Sequence, residues 1–479
     1  MSSKAIIVGG GLAGLATAAA LAERDVSVML LESRPRLGGR ASSFGDRTTE
    51  TQIDNCQHVT MGCCTNFQHF CRTVGLSDLF RRELELFFIG PGNSTATWHC
   101  DRLTASRLPA PFHLFPAFSK ISYLKRQDKF QLAKGLKALA AINPNLTSEK
   151  TIERWLWDNG QTATAIERFW NLVLVSALGE TPNRISVPQA QKVFVDAFLA
   201  NRSGWEVSIP VVPLDDLYGL RLTEWLAQRG VTIRLRSGVQ RLLVDQGTVV
   251  AVELRDGQRL SANHFVVAVP HHLVLSLLPV SMRTHPQLAG VNRLQSAPIA
   301  SVHLWFDRPI TTLPHAVFVN RLSQWMFNRS VLQSVRDSRG GQDSHDDKMY
   351  YYQIVISAAR NLAGLSQRAV AAEVTRELTE VWPETANSQL LHSRLIVEHQ
   401  AVFSPLPGVD KLRPIQQSPI SNLQFAGDWT ATGWPATMEG AVRSGYLAAE
   451  NILRNLGRTA QILQPDLPTS LLSKLVLKL

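Results

Sequence analysis

The chain has 479 residues, 45% of them hydrophobic and 18% charged, with 49 basic against 39 acidic side chains and a formal charge of +10. That length and apolar content exclude a disordered or fibrous chain and predict more than one lobe, each with its own core. The basic residues are scattered rather than run together, which argues against nucleic acid and leaves an anionic membrane surface as the reading of the charge excess. The five cysteines (Cys56, Cys63, Cys64, Cys71 and Cys100) form no C-x-x-C pair and are odd in number, so neither a disulfide framework nor a metal site is expected. With no evident leader, they read as reduced thiols of a cytoplasmic protein, peripheral at the inner face of a membrane at most.

The chain opens with an apolar strand, Ala5–Val8, then the turn Gly9-Gly10-Gly11-Leu12-Ala13-Gly14, an alanine-rich helix, and a second strand, Val26–Leu31, closed by Glu32. This strand, G-x-G-x-x-G turn, helix, strand and acid form a dinucleotide-binding unit. Gly9 permits the tight turn and Gly11 lets the backbone approach a pyrophosphate. Leu12 and Ala13 start a helix whose free N–H groups face the phosphates, and Gly14 allows close helix–strand packing. Glu32 stands where an acid accepts hydrogen bonds from a ribose. The uncharged run from Ala5 to Ala22 superficially suggests a signal peptide or a membrane span, but Gly9, Gly10, Gly11, Gly14 and Thr17 interrupt it.

Further on, helical patterns cover Lys129–Ala141 and Thr162–Ala177. Short strands follow at Val231–Leu235, Val239, Arg241–Val244, Thr248–Leu254 and Arg259–Leu260, leading into the buried strand His264–Pro270. Ile299–Phe306 and Met349–Ser357 read as strands and Ala369–Val381 as a helix. Ser334–Lys348 is the most polar stretch and predicts a solvated loop or hairpin tip. A strand from Leu423 ends on Gly427-Asp428, and a helix follows from about Glu439 to Leu456. These patterns predict an α/β fold in which 1–60, 205–275 and 418–457 build a discontinuous Rossmann-type nucleotide domain. Residues 61–204 and 276–417 would build a second, mixed α+β substrate domain. The tail, 458–479, carries leucines at 467, 471, 472, 475 and 479 between Lys474 and Lys478, an amphipathic stripe suited to a membrane surface or an apolar entrance.

Gly9–Gly14 with Glu32, followed by Arg36-Leu37-Gly38-Gly39-Arg40-Ala41-Ser42-Ser43, resembles the signature of the flavin amine oxidase and carotenoid desaturase superfamily, and Ala426-Gly427-Asp428 with Pro435–Ala441 resembles its second flavin motif. Within it, Asp54-Asn55-Cys56-Gln57-His58 and the stretch Gly427–Ala441 are similar to the squalene-associated branch of hydroxysqualene dehydroxylases, with Cys56 where that branch has glycine. Gln324–Arg329 also resembles polyprenoid enzymes. The resemblance implies FAD as cofactor, held by Arg36, Gly38, Gly39, Arg40, Val239, Gly427, Asp428, Pro435, Ala436, Thr437 and Met438. The helix near Glu439 would turn its positive end toward the flavin. His58 and Asp54 are the candidate acid or base, and Trp434 and Trp325 the candidate walls for an allylic cation. The implied activity is reduction of hydroxysqualene to squalene by hydride from reduced FAD. A phytoene- or zeta-carotene-type desaturase is the alternative, ahead of an amine oxidase or a non-catalytic prenyl-binding escort. No second G-x-G-x-x-G unit is present for a nicotinamide, so the electron donor is external and unidentified.

Overall fold

The computed structural model describes residues 3–92, 97–333 and 349–478. The polar stretch Ser334–Lys348 lies outside the described residues. Strands Lys4–Val8, Ser27–Leu31, Thr232–Arg234, His264–Val267 and Leu423–Phe425 form one five-stranded, wholly parallel sheet. Lys4–Val8 lies at its centre, between Ser27–Leu31 and His264–Val267. Its apolar run has Ala5, Ile6 and Ile7 fully buried, as a strand covered on both faces requires. The helices Leu12–Ala22 and Met438–Asn455 pack together against this sheet, joined where the Thr17 hydroxyl donates to the Gly445 carbonyl at 3.2 Å. On its other side lies the hairpin sheet of Val239–Asp245, Thr248–Leu254 and Arg259–Leu260.

A second sheet has seven strands in the order 390–403, 296–306, 350–357, 325–328, 315–318, 85–91, 98–104. All neighbours pair antiparallel except 315–318 with 85–91. The sequence pattern identifies its buried strands, 296–306 and 350–357, but not its edges. Trp98–Thr104 and Leu390–Phe403 are largely half-exposed and carry little apolar alternation, so only pairing makes them strands. The helices Arg126–Ala140, Ala163–Leu178 (interrupted by a wide turn at 166–170) and Val187–Phe194 build a separate aromatic-rich core around Trp170 and Phe194.

Packing does not break where the sequence pattern places the boundary at residue 60. The helix Thr65–Thr73 buries Phe67, Phe70 and Cys71 in the core of the parallel sheet. Leu277, Leu288 and Val291 likewise pack beneath that sheet from the other side. The tail folds back along the body: Ile462 enters the first core, and Asn201 donates to the Pro468 carbonyl. Its short helix, Leu471–Leu477, buries Ser473 and Leu477 while Leu471 and Leu475 stand 79% and 78% exposed, so only part of the leucine stripe faces outward.

Burial pushes His113 and His271 down to about 4 and His303 down to about 3, which keeps all three neutral in the folded protein. Unfolding returns them to an ordinary value near 6.5. Their stabilisation is therefore complete above about pH 6.5 and declines by about 1.4 kcal/mol per pH unit per histidine as pH falls toward 4. Thermal melts from pH 7 to pH 5 should show a falling midpoint; a rising midpoint would contradict these neutral histidines.

Candidate active site

The strands of the parallel sheet end at one edge, above a cavity of about 680 Å³. Gly9, Gly11, Leu12, Ala13, Glu32, Gly38, Gly39 and Arg40 line it from the first unit, and Val239 from the hairpin sheet. Gly427, Asp428, Pro435, Ala436, Thr437 and Met438 close it from the last strand and helix. Residues separated by more than 400 positions thus share one wall.

Two glycines of the turn have opposite roles. A Cβ at Gly14 would sit 2.0 Å from the Gly9 carbonyl oxygen, so this position is bare because helix and strand touch, and Gly14 does not face the cavity. A Cβ at Gly11 would meet no protein atom nearer than the Gly39 Cα at 4.0 Å. The protein itself therefore leaves Gly11 bare toward the cavity, the cradle a pyrophosphate would occupy. Glu32 is buried beside it. One carboxylate oxygen accepts from the Gly10 N–H at 2.7 Å; the other accepts from the Arg34 N–H at 2.7 Å and the Ser33 hydroxyl at 3.1 Å. The carboxylate is thereby oriented before any ribose arrives.

Arg40 bridges the chain's two ends: its guanidinium donates to Asp428 at 2.6 Å and to the Ala401 carbonyl at 2.8 Å. Burial works against its charge, but Asp428 and, less strongly, Glu398 together outweigh burial and hold the guanidinium above its ordinary value. Arg36 lies elsewhere: it is absent from the cavity lining, and its guanidinium sits over the Phe44 ring at 5.8 Å. Arg34, one turn of the loop earlier, lines the cavity instead. Sequence spacing misses Arg413 altogether. Buried, it donates to the carbonyls of Asp428, Thr430 and Trp434 at 3.0, 2.6 and 2.7 Å, pinning the loop into the last helix. That helix is capped by Thr437, whose hydroxyl accepts from the Gly440 N–H.

The acid/base candidates separate. His58 lines the cavity, with Nδ1 3.0 Å from the Cys56 carbonyl, so Nδ1–H is the donor and Nε2 the free base. Burial lowers its affinity for a proton, more than the Cys56 carbonyl and Asp54 raise it, so the ring is neutral. Cys56 adopts no left-handed backbone, so the loop needs no glycine there, and burial pushes its thiol up to about 12. Asp54 does not line the cavity. Its oxygens accept from the Ser43 hydroxyl at 2.7 Å, the Leu214 N–H at 2.8 Å and Arg329 at 3.2 Å. Arg329, itself buried, also donates to Gln57 at 2.5 Å. The Gln324–Arg329 segment thus braces the loop that carries His58, and Asp54 is a positioning residue rather than an acid.

Trp434 lines the cavity, but the Lys192 ammonium lies 4.7 Å from its ring centre and Arg443 5.9 Å, so cations of the protein already occupy its π-surface. Trp325 is not a wall of the cavity. It stacks on Phe327 at 5.6 Å and donates to the Ser176 hydroxyl, a packing residue one layer behind.

Gly11→Ala should leave thermal unfolding of the flavin-free protein within a few degrees of wild type while flavin absorbance per chain falls. Unchanged flavin content would remove Gly11 from the cradle. Asp54→Asn strands the buried Arg329 and should cost about 3–5 kcal/mol in denaturant unfolding; a variant of full stability but no turnover would instead restore Asp54 as an acid.

Comparison with known proteins agrees with this geometry. Residues 12–453 match the family model described as flavin containing amine oxidoreductase. The chain is 24% identical over 463 residues to the 15-cis-phytoene desaturase of Solanum lycopersicum, covering 94% of this chain and 77% of that protein. It is 26% identical over 486 residues to a probable zeta-carotene desaturase of Synechococcus elongatus, covering 93% and 98%. An oxidoreductase from Methanosarcina mazei shares the fold with a TM-score of 0.70 at 14% identity, covering 92% of this chain and 98% of that one. The chain belongs to the flavin-containing amine oxidoreductase family, and the dinucleotide its cradle holds is FAD.

Proposed function

We propose that this FAD-dependent oxidoreductase acts on a polyprenoid, reducing hydroxysqualene to squalene. One observation carries the reading: residues of both stretches resembling the squalene-associated branch, 55–58 and 427–438, line the same cavity, whose remaining walls include the aliphatic side chains of Leu178, Val193, Ile299, Val355 and Val402. Such walls exclude water from a carbocation and suit a hydrocarbon chain, and the same cavity presents the charged Lys192, Asp196 and Glu398 to a polar end.

Glu32, Gly11 and Arg40 with Asp428 hold the dinucleotide, and the N-terminus of helix 438–455 favours negative charge at the cavity. Bound there in reduced form, FAD supplies a hydride. The protein's share is to bind and orient the chain, keep the site dry, and hand a proton to the departing hydroxyl.

A desaturase is the second reading. It is favoured by the names of the plant and cyanobacterial relatives and by neutral His58, whose free Nε2 suits proton removal. Substrate enters from a membrane surface in either case. Leu471 and Leu475 on the tail helix, with Lys474 between them, are exposed beside the body, and among the described residues no helix is long and apolar enough to cross a bilayer.

The test is anaerobic incubation with reduced FAD and vesicle-borne hydroxysqualene, beside oxidised FAD and phytoene. Squalene in the first mixture is the expected product; new conjugated double bonds in the second, with no squalene in the first, would select the desaturase. Leu471→Ser with Leu475→Ser should slow turnover from vesicles but not from detergent, and equal rates would remove the tail from substrate entry.

A further inference from the structure

The dehydroxylation needs a proton donor in the cavity, and neither candidate from the sequence serves. Asp54 is sealed away on Arg329, and His58 is neutral with its only ring N–H spent on the Cys56 carbonyl. The cavity wall holds another carboxyl. Asp196 lines it from a wide helical turn, Val195–Leu199, closed by an Ala200 N–H to Val195 carbonyl bond of 2.7 Å. Such wide turns re-aim side chains and recur at functional sites.

Asp196 shares one cation with a second carboxylate. Lys192, one turn earlier, contacts Asp196 and also donates to Asp466 of the tail at 2.9 Å. Asp466 is otherwise saturated, accepting from Arg443 at 2.8 Å and from the Trp434 indole at 3.2 Å. Among the described residues Lys192 is the only cation in contact with Asp196. The other groups whose charge reaches it are the Arg443 guanidinium, the Cys63 thiol and, beyond the thiol, the Glu439 carboxyl, which is bound by the Asn66 and Phe67 N–H groups.

We propose that Asp196 is the catalytic acid, the group that protonates the leaving hydroxyl of the polyprenoid alcohol, an inference that rests on the dehydroxylase reading above. The hydroxyl oxygen takes the Asp196 proton, the C–O bond breaks with both electrons going to oxygen, and water departs from an allylic cation. The electron pair of the new C–H bond comes from the reduced flavin named in that reading. Asp196 is left as a carboxylate beside Lys192 and is reprotonated from solvent.

The electrostatics agree with the geometry. Burial, and then the charge of Asp466, hold the Asp196 carboxyl above its ordinary value despite Lys192 and Arg443. Asp466 itself lies below its ordinary value because Lys192 and Arg443 outweigh its burial. Two neighbouring carboxyls are thus pushed in opposite directions, the arrangement that separates a proton donor from a fixed charge.

The experiment pairs turnover with infrared spectroscopy. Asp196→Asn should retain flavin absorbance and lose about 100-fold or more in turnover of hydroxysqualene. On acidification, wild type should show the carbonyl stretch of a protonated carboxylic acid at a higher pH than an ordinary aspartate, a band that Asp196→Asn lacks. Turnover should fall as pH rises through the Asp196 ionisation. Asp466→Asn removes the neighbouring negative charge, so that limb and the infrared titration should both move to lower pH. Undiminished turnover by Asp196→Asn, or a wild-type infrared titration identical to that of the variant, would overturn Asp196 while leaving the dehydroxylase reading intact. Wild-type enzyme that makes no squalene would overturn that reading and this step with it.

Discussion

Five parallel strands ending at a common edge are the constraint on which the site depends. In a parallel sheet the segments leaving those ends must turn together, and here they deliver the turn at Gly9, the acid at Glu32 and the acid at Asp428 to one place. Placing Lys4–Val8 centrally, against His264–Val267 on one side and Ser27–Leu31 on the other, forces the polypeptide to return twice from the second sheet before the cradle is complete. The Arg40–Asp428 pair then clamps the first returning loop to the last strand.

The loops themselves are held by buried arginines. Arg413 ties down the carbonyls of 428–434, and Arg329 ties Asp54 to Gln57. A guanidinium suits this because its five donors satisfy several fixed acceptors at once without losing its charge. Such an arrangement is costly to break from one side, since the remaining partner would be buried and uncompensated. It gives His58 and Trp434 fixed positions on loops that would otherwise be free to move.

Charge at the cavity is divided between two regions. Around the dinucleotide it is balanced, with Arg40 facing Asp428. Beyond Trp434 the balance is unequal, because Lys192 contacts both Asp196 and Asp466 while Arg443 contacts Asp466 and Glu439 but not Asp196. The tail matters here for chemistry rather than shape, since Asp466 comes from it.

The sequence by itself determined the dinucleotide unit and the three discontinuous segments that share its lobe, and its family resemblance implied the cofactor. A glycine turn between an apolar strand and an alanine-rich helix has one physical use, and that logic is local. Gly11 and Glu32 were legible for that reason, Arg40 through the resemblance, and most of the buried strands 296–306 and 350–357 through their apolar runs. Side-chain partners across long separations were not. Whether Asp54 faces the cavity or Arg329, and whether Trp434 is free or already covered by Lys192, are decided by residues hundreds of positions away. Asp196 carries no motif; Lys192 is its local helical neighbour, but only the fold brings the tail's Asp466 to the same ammonium. A carboxyl's protonation depends on burial and on neighbouring charge, and tertiary structure alone supplies both.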